Sequence, residues 1–481
     1  MSVVASSKED RCLDFCIDSK TPSAPLDFLS LPLPFIELPS TVGGLKDCAE
    51  FHICSLLKKT TLSADDEDAL DDGFVLCDLN IIRKKLQVWR QLFPRVRPLF
   101  ALKCNPDPMV AAVLGQSGVC GFDCASLPEV ELALKSVSNN PRLLVYANPQ
   151  RAEKDLEMAL SLGVRALTFD GPEELHKVHR AYQQRLAAQS NSRPPQMILR
   201  ILVPDESSTV PLGEKFGASP ARIASLANLA LTLGLRIIGV SFHCGSGNHD
   251  PRAYRIAIEL AAEAIQTIDL VQKDHKAACW LLDIGGGYPG LDGMGGDAGR
   301  FCGSKVKLDE SLVQEDETET TEKVSNIVSP LLNKLFPHEQ IHFVSEPGRY
   351  FVEGAFALCS RIYQAQSEYA SESRHTVVRR HYFIAQGVQG MFKDCLLCNE
   401  VFTPVPLFVD SCCTDVIRIP SVIHGPSGEL YDIIARDHPL PFLEAGDWLL
   451  FDRMGAYTLS IAARSDRPPI RYVIGGTAIS R

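Results

Sequence analysis

Lys103 lies in the apolar run LFALKCN (99–105). A lysine among hydrophobic residues needs a partner, and low polarity favours its neutral amine, the form that condenses with a carbonyl. Glu346, in SEPGR, is suited to hold a protonated pyridine nitrogen, and His243, in SFHCGSG, to stack on an aromatic ring. The three consecutive glycines of DIGGGYPG (283–290) bring backbone N–H donors to the close range a phosphate requires. Ser246 adds a hydroxyl beside a second glycine-rich turn, and the guanidinium of Arg349 matches phosphate oxygens. Singly, each has a plain structural explanation: a salt bridge, a tight turn, a cap carboxylate, a core histidine. Together they describe a seat for a phosphorylated aromatic aldehyde.

The elements that carry these residues follow one rhythm. Short β-branched or aromatic runs occur at 98–103, 118–126, 142–149, 165–170, 197–203, 237–245, 280–287 and 341–349. Between them lie segments such as PEVELALKSV and PEELHKVHRAYQQRLA, apolar at i, i+3 and i+4. Strand alternating with helix implies parallel pairing, and eight such units in about 250 residues predict an α/β fold, a closed (β/α)₈ barrel. A doubly wound open sheet is the competing architecture. The strand ends read Lys103, Asp123, Asn148, Asp170, Arg200, His243, Gly285 to Gly287 and Glu346. Barrel enzymes place their chemistry on that face.

The barrel is expected over residues 76–355, interrupted at 291–325 by an acidic, Gly-rich insertion that reads as exposed or disordered. From 356 to 481 the helical rhythm gives way to short alternating runs, which predict a second, smaller, mostly antiparallel β domain. Residues 1–75 hold no barrel strand and are expected to join it. The net charge of −11 and the lack of a basic block argue against nucleic acid as partner. No run approaches a membrane span, and MSVVASSKEDRCLDFC lacks the apolar core of a secretory signal, so a cytoplasmic location is expected. The 16 cysteines, most in apolar runs as Cys77 and Cys359 are, read as reduced core thiols. Cys395 and Cys398 form a lone C-x-x-C without further ligands nearby, so no metal is expected.

The ordered set PLFALKCN, GFDCAS, SFHCGSG, LLDIGGGYPG, SEPGRYFV and AGDWLLFDRMGAYT resembles the eukaryotic ornithine decarboxylases, barrel-type enzymes that use pyridoxal 5′-phosphate (PLP). The likeness runs from about residue 35 to the C-terminus. It implies Lys103 as the Schiff-base lysine, Asp123, Glu129 and Arg200 as cofactor-pocket residues, and His243 as the residue stacked on the ring. It also implies Ser246, Gly286, Gly287, Arg349 and Tyr457 as phosphate binders and Glu346 as the partner of the pyridine nitrogen. A head-to-tail homodimer with shared active sites is implied as well.

Two segments depart from the family pattern. The family's tryptophan-glycine-proline-threonine-cysteine-aspartate run enters the neighbouring subunit's site, and its cysteine returns a proton to the α-carbon. Here the stretch reads HGPSGE, with Gly428 in place of the cysteine and Glu429 in place of the aspartate. Cys412 and Cys413, upstream, are not expected to substitute. The family's asparagine-aspartate-glycine, whose aspartate holds ornithine's distal amine, is AQG here, with Gln386 at the aspartate position. Loss of a charged hydrogen bond costs about 1.5–3 kcal/mol, roughly tenfold to hundredfold in affinity. The expected activity is PLP-dependent decarboxylation of ornithine or a modified basic amino acid. The product is an amine, or an aldehyde where the missing acid diverts the proton. The alternative is a catalytically weak paralogue that binds an antizyme-type regulator through Arg151–Asp170 and Glu173–Arg180.

Overall fold

A computed structural model describes residues 44–59, 72–213, 215–248, 250–273, 278–290, 320–337, 340–371, 373–408 and 417–474, with a few positions between 32 and 70. These fall into two compact units, one within 83–290 and 320–350, the other within 34–82 and 351–474.

The first unit is a closed barrel of eight parallel strands: Val96–Ala101, Gly121–Cys124, Leu144–Tyr146, Ala166–Phe169, Gln196–Arg200, Arg236–Ser241, Leu281–Asp283 and His342–Ser345. The last strand returns to the first, pairing Phe343 with Val96 and Ser345 with Pro98. That closure excludes the open-sheet alternative. Each strand of the sequence reading contributes one strand of the barrel. Inward side chains, among them Leu99, Val145, Ile198, Ile238, Leu281 and Val344, fill the interior.

Local signals start the outer helices where the sequence places them. Asp107 caps Pro108–Gln116 by accepting from the N–H groups of Met109 and Val110. Glu129, in the first turn of Leu127–Ser136, accepts from Ala125 N and Ser126 Oγ and ties the helix start to the end of the second strand. One boundary differs from expectation. Residues 320–325, read as the end of the acidic insertion, open the helix Thr320–Leu335. Val324, Val328 and Leu332, spaced by four, bury one face of it. Residues 291–319 lie outside the described residues, as do Cys412 and Cys413.

The second unit is built on strands Phe74–Asp78, Phe356–Ala370, Ser373–Ile384, Ile419–His424, Ile433–Leu440, Trp448–Phe451 and Ile470–Ile474, with shorter pieces at Ile36–Glu37 and Pro404–Pro406. Pairing is mostly antiparallel. The helix Gly44–Leu57 closes over one face, burying Cys48, Ile53 and Leu56 with Phe74, Leu76 and Trp448. Phe74–Asp78, across which the expected boundary at 75/76 falls, belongs wholly to this sheet. One parallel pair matters for function: Ser373–Ile384 beside Ile419–His424. Parallel neighbours end on the same side, so the segments after them, 385–390 and 425–432, are brought together.

Among the described residues no helix is long and apolar enough to cross a membrane. Cys77 and Cys359 are buried thiols of the second unit's sheet and in no disulfide, while Cys395 and Cys398 are half-buried.

Candidate active site

Lys103 follows the first barrel strand and Asp123 sits on the second, paired with Ala101. Lys103 Nζ lies 3.0 Å from Asp123 Oδ2, and the carboxylate is fully buried. The other carboxylate oxygen, Oδ1, is buried with no hydrogen-bond partner. Glu346 follows the eighth strand, whose neighbour is the strand that carries Lys103, so the two groups share one barrel end. Pro347 O accepts from the Ala101 N–H at 3.3 Å, which holds the two loops together.

Glu346 is 7% exposed. Burial, then the negative charges of Asp123 and Asp283, raise its pKa well above the ordinary carboxylate range. Lys103 and Arg200 oppose that shift. Asp283, at the end of the seventh strand, is pushed up to about 6, chiefly by burial. Its Oδ1 accepts from the Gly285 N–H at 2.9 Å. Its Oδ2 has no ordinary donor, but the Glu346 carboxyl is within hydrogen-bonding reach. Burial and the negative charge of neighbouring carboxylates push both carboxyls toward the protonated form. The sequence reading quoted Asp283 inside its motif but gave it no role. The signal was there, because an acid closing an apolar strand is as unusual as Lys103.

His243 Nδ1 accepts from the Gly245 N–H at 2.9 Å. Burial, then the charges of Lys103 and Arg200, hold its pKa well below the usual histidine value, so the imidazole is neutral. The glycine turn is fitted against it. A Cβ on Gly286 would stand 2.8 Å from His243 Nε2 and 2.6 Å from Glu346 O. Gly287 has φ +105°, a conformation that favours glycine. Tyr254 Oη donates to Gly286 O at 3.1 Å, and Ser345 Oγ to Gly285 O at 2.6 Å, pinning the turn from both sides. Ser246 opens the short strand Ser246–Asn248, and Asn248 N donates to Gly287 O at 3.0 Å, joining the two glycine-rich turns. Arg349 begins the helical turn Arg349–Val352 directly after the Glu346 loop.

Not every predicted residue sits free in this site. Both carboxylate oxygens of Glu129 are engaged by its helix terminus, at Ala125 N (2.7 Å) and Ser126 Oγ (3.0 Å). Arg200 stacks over Phe216 at 4.9 Å while its charge still acts on His243 and Glu346. Asn148 and Asp170 tie loops, to Ala125 O and from Gly217 N.

The remaining predicted residues lie in the second unit. Tyr457 is half-buried, with φ +56°. Gln386 is 9% exposed. Gly428 and Glu429 are exposed in the 425–432 loop, and Gly428 has φ +72° with open space where a Cβ would be. Asp432, which the sequence reading passed over, organises this loop. Its Oδ1 accepts from Val388 N at 2.8 Å and its Oδ2 from Ser427 N at 2.9 Å. A Cβ at Gly387 or Gly425 would strike that carboxylate.

The barrel-end residues fit PLP: a half-exposed lysine on a buried aspartate, a neutral histidine, a glycine cradle that any side chain would fill, and a buried carboxyl pushed toward its protonated form. They define a barrel that holds a phosphorylated aromatic aldehyde on a lysine. Residues 79–353 match the model of the pyridoxal-dependent decarboxylase pyridoxal-binding domain. The chain is 33% identical to Antizyme inhibitor 2 of Xenopus laevis, over 84% of this chain and 81% of that one. It is equally 33% identical to ornithine decarboxylase 2 of Drosophila melanogaster, over 83% and 90%. It resembles the Paramecium bursaria Chlorella virus arginine decarboxylase structure with TM-score 0.72 and 27% identity, covering 90% of this chain and 100% of that one. It resembles the structure of SrLDC with PLP and cadaverine with TM-score 0.65 and 25% identity, covering 87% and 95%. The chain belongs to the pyridoxal-dependent decarboxylase family, ornithine decarboxylase branch, and PLP is its cofactor.

Proposed function

We propose that the protein decarboxylates ornithine or a modified basic amino acid, releasing an amine with an aldehyde as side product. The observation that carries this reading is the Lys103–Asp123 pair set on the same barrel end as the protonated Glu346–Asp283 pair. PLP supplies an electron sink for the pair left behind when CO₂ departs. Lys103 would hold the cofactor aldehyde, with Asp123 orienting its nitrogen. Glu346, with Asp283 behind it, would serve the pyridine nitrogen, and the neutral His243 would meet the ring. Ser246, the Gly286 and Gly287 N–H groups and Arg349 would hold the phosphate, a role the family likeness also gives to Tyr457, and Arg200 and Glu129 would set the charge of the pocket.

Return of a proton to the α-carbon is the weakened step. Gly428 has no acid group; Glu429 is the acid next to it in the chain, while Asp432, further along the loop, is engaged by backbone N–H groups. Gln386, a neutral amide, stands at the position where the family holds the distal amine. Supporting a homodimer, Gly428 and Glu429 are exposed and so available to the site of a second copy. The buried free thiols support a cytoplasmic location.

The test is incubation of the holoprotein with ornithine, lysine, arginine and their substituted relatives, with products read by mass spectrometry. Amine and aldehyde from at least one basic acid is the expected result. No CO₂ release from any of them overturns the reading.

A second reading, an antizyme-binding regulator, draws support from the likeness to Antizyme inhibitor 2 and from Gly428. Arg151 and Glu174 are buried, so such a partner would meet the outer face formed by Glu153, Lys154, Glu157, Glu173 and Arg180. A protein that stays colourless with PLP, and whose Lys103 borohydride does not label, favours this second reading.

A further inference from the structure

The second unit contains a cleft of about 530 Å³ after its parallel strand pair, lined by Asp72, Tyr363, Gln386, Gln389, Ser427 and Asp466 among others. Its lining includes three aspartates and no lysine or arginine. Such a cleft favours a cation. One of the three, Asp432, is already satisfied by backbone N–H groups on both oxygens. Asp466 is not: Ser465 Oγ donates to its Oδ1 at 2.7 Å, and it makes no ion pair among the described residues.

The second observation is Gln386. It is nine-tenths buried, lines the cleft, and its side chain makes no hydrogen bond among the described residues. Its amide is not sealed off, so a ligand or water in the cleft can complete it. Gly390 sits between the two groups. The position of a Cβ there is 3.2 Å from Gln386 Oε1 and 3.7 Å from Asp466 Cβ. The missing side chain leaves both groups open to the same space.

We infer that Asp466 is the specificity-determining residue of this cleft, pairing with the distal ammonium or guanidinium of a ligand whose N–H groups also meet the Gln386 carbonyl. This rests on the reading above that the substrate is a basic amino acid, and it names the residue that would select one. Asp466 supplies the charge, Gln386 an acceptor that orients it, and Ser465 holds the carboxylate in position. An exposed carboxylate of this kind contributes modestly, so the expected effect is about tenfold in affinity rather than total loss.

The test uses the holoprotein and two amines of equal length, putrescine and n-butylamine, with binding followed by calorimetry so that turnover is not required. Wild type should bind putrescine at least tenfold more tightly than n-butylamine. Asp466→Asn should remove most of that preference and leave n-butylamine binding, melting temperature and cofactor absorbance unchanged, while Asp466→Glu should restore part of it. Asp466→Asn with an unaltered preference, or a wild type without one, overturns the inference. Wild type that shows the Asp466-dependent preference but decarboxylates nothing overturns the enzymatic reading alone.

Discussion

Lys103 Nζ approaches Asp123 Oδ2 to 3.0 Å, while Asp123 Oδ1, equally buried, has no partner. The lysine is therefore held by one oxygen and the second awaits a donor. Lys103→Ala should abolish the visible absorbance that PLP confers and its fixation by borohydride. It also strands a buried carboxylate, at a cost of about 1–3 kcal/mol. Lys103→Arg should recover most of that stability, measured by denaturant unfolding, without recovering the colour.

The glycine cradle should tolerate no side chain. Gly286→Ala puts a methyl 2.8 Å from His243 Nε2 and 2.6 Å from Glu346 O, both on the face the ring must use. Cofactor affinity should fall at least tenfold in a PLP titration. Backbone displacement should cost roughly 1–3 kcal/mol in unfolding.

The cofactor-free protein should lose stability on both sides of a pH optimum. Glu346 and Asp283 have folded pKa values above their unfolded ones, so the folded state binds the extra protons. Their contribution is present at low pH and is lost as pH rises through the folded pKa, about 6 for Asp283 and raised in the same direction for Glu346. His243 has a folded pKa below its unfolded one, so its contribution is complete above pH about 6.5 and is lost as pH falls. Glu346→Gln cannot titrate, so its melting temperature should decline less from pH 5 to pH 8 than that of wild type. An unchanged slope would rule out a buried proton at this position.

A buried ion cluster stabilises the barrel wall. Glu174 Oε1 accepts from Arg151 Nε at 2.9 Å and Oε2 pairs with Lys177 at 2.7 Å, while Arg151 also donates to Tyr146 O and Thr168 O. Glu174→Ala leaves the fully buried guanidinium uncompensated and should destabilise by about 3–5 kcal/mol in urea unfolding.

Gly428→Cys should raise the ratio of amine to aldehyde in the product mixture by restoring an acid. The space is open, but φ +72° is unfavourable for a residue with a Cβ, so a penalty of about 1 kcal/mol should accompany the gain. An unchanged ratio would show that position 428 does not deliver the proton.

The sequence by itself determined the barrel and the identity of its cofactor seat. Strand and helix alternate through local propensity and periodicity, and each strand end announces its chemistry in the residue next to it, as Lys103 and Glu346 do. It misplaced the start of the helix Thr320–Leu335 because Thr320, Thr321 and Glu322 continue the polar composition of the run before them, and only burial of Val324 and Val328 marks the turn. Tertiary structure alone decided the rest. The coupling of the Glu346 and Asp283 carboxyls, 63 positions apart, depends on two strands being neighbours in a closed sheet. The clamp by Asp432 depends on parallel pairing in the second unit, and the approach of Gln386 and Asp466 to Gly390 depends on the chain returning there between its last two strands. Spacing along the chain carries no trace of such contacts, because a carboxyl's pKa and a cleft's charge are set by what folding brings within a few ångströms.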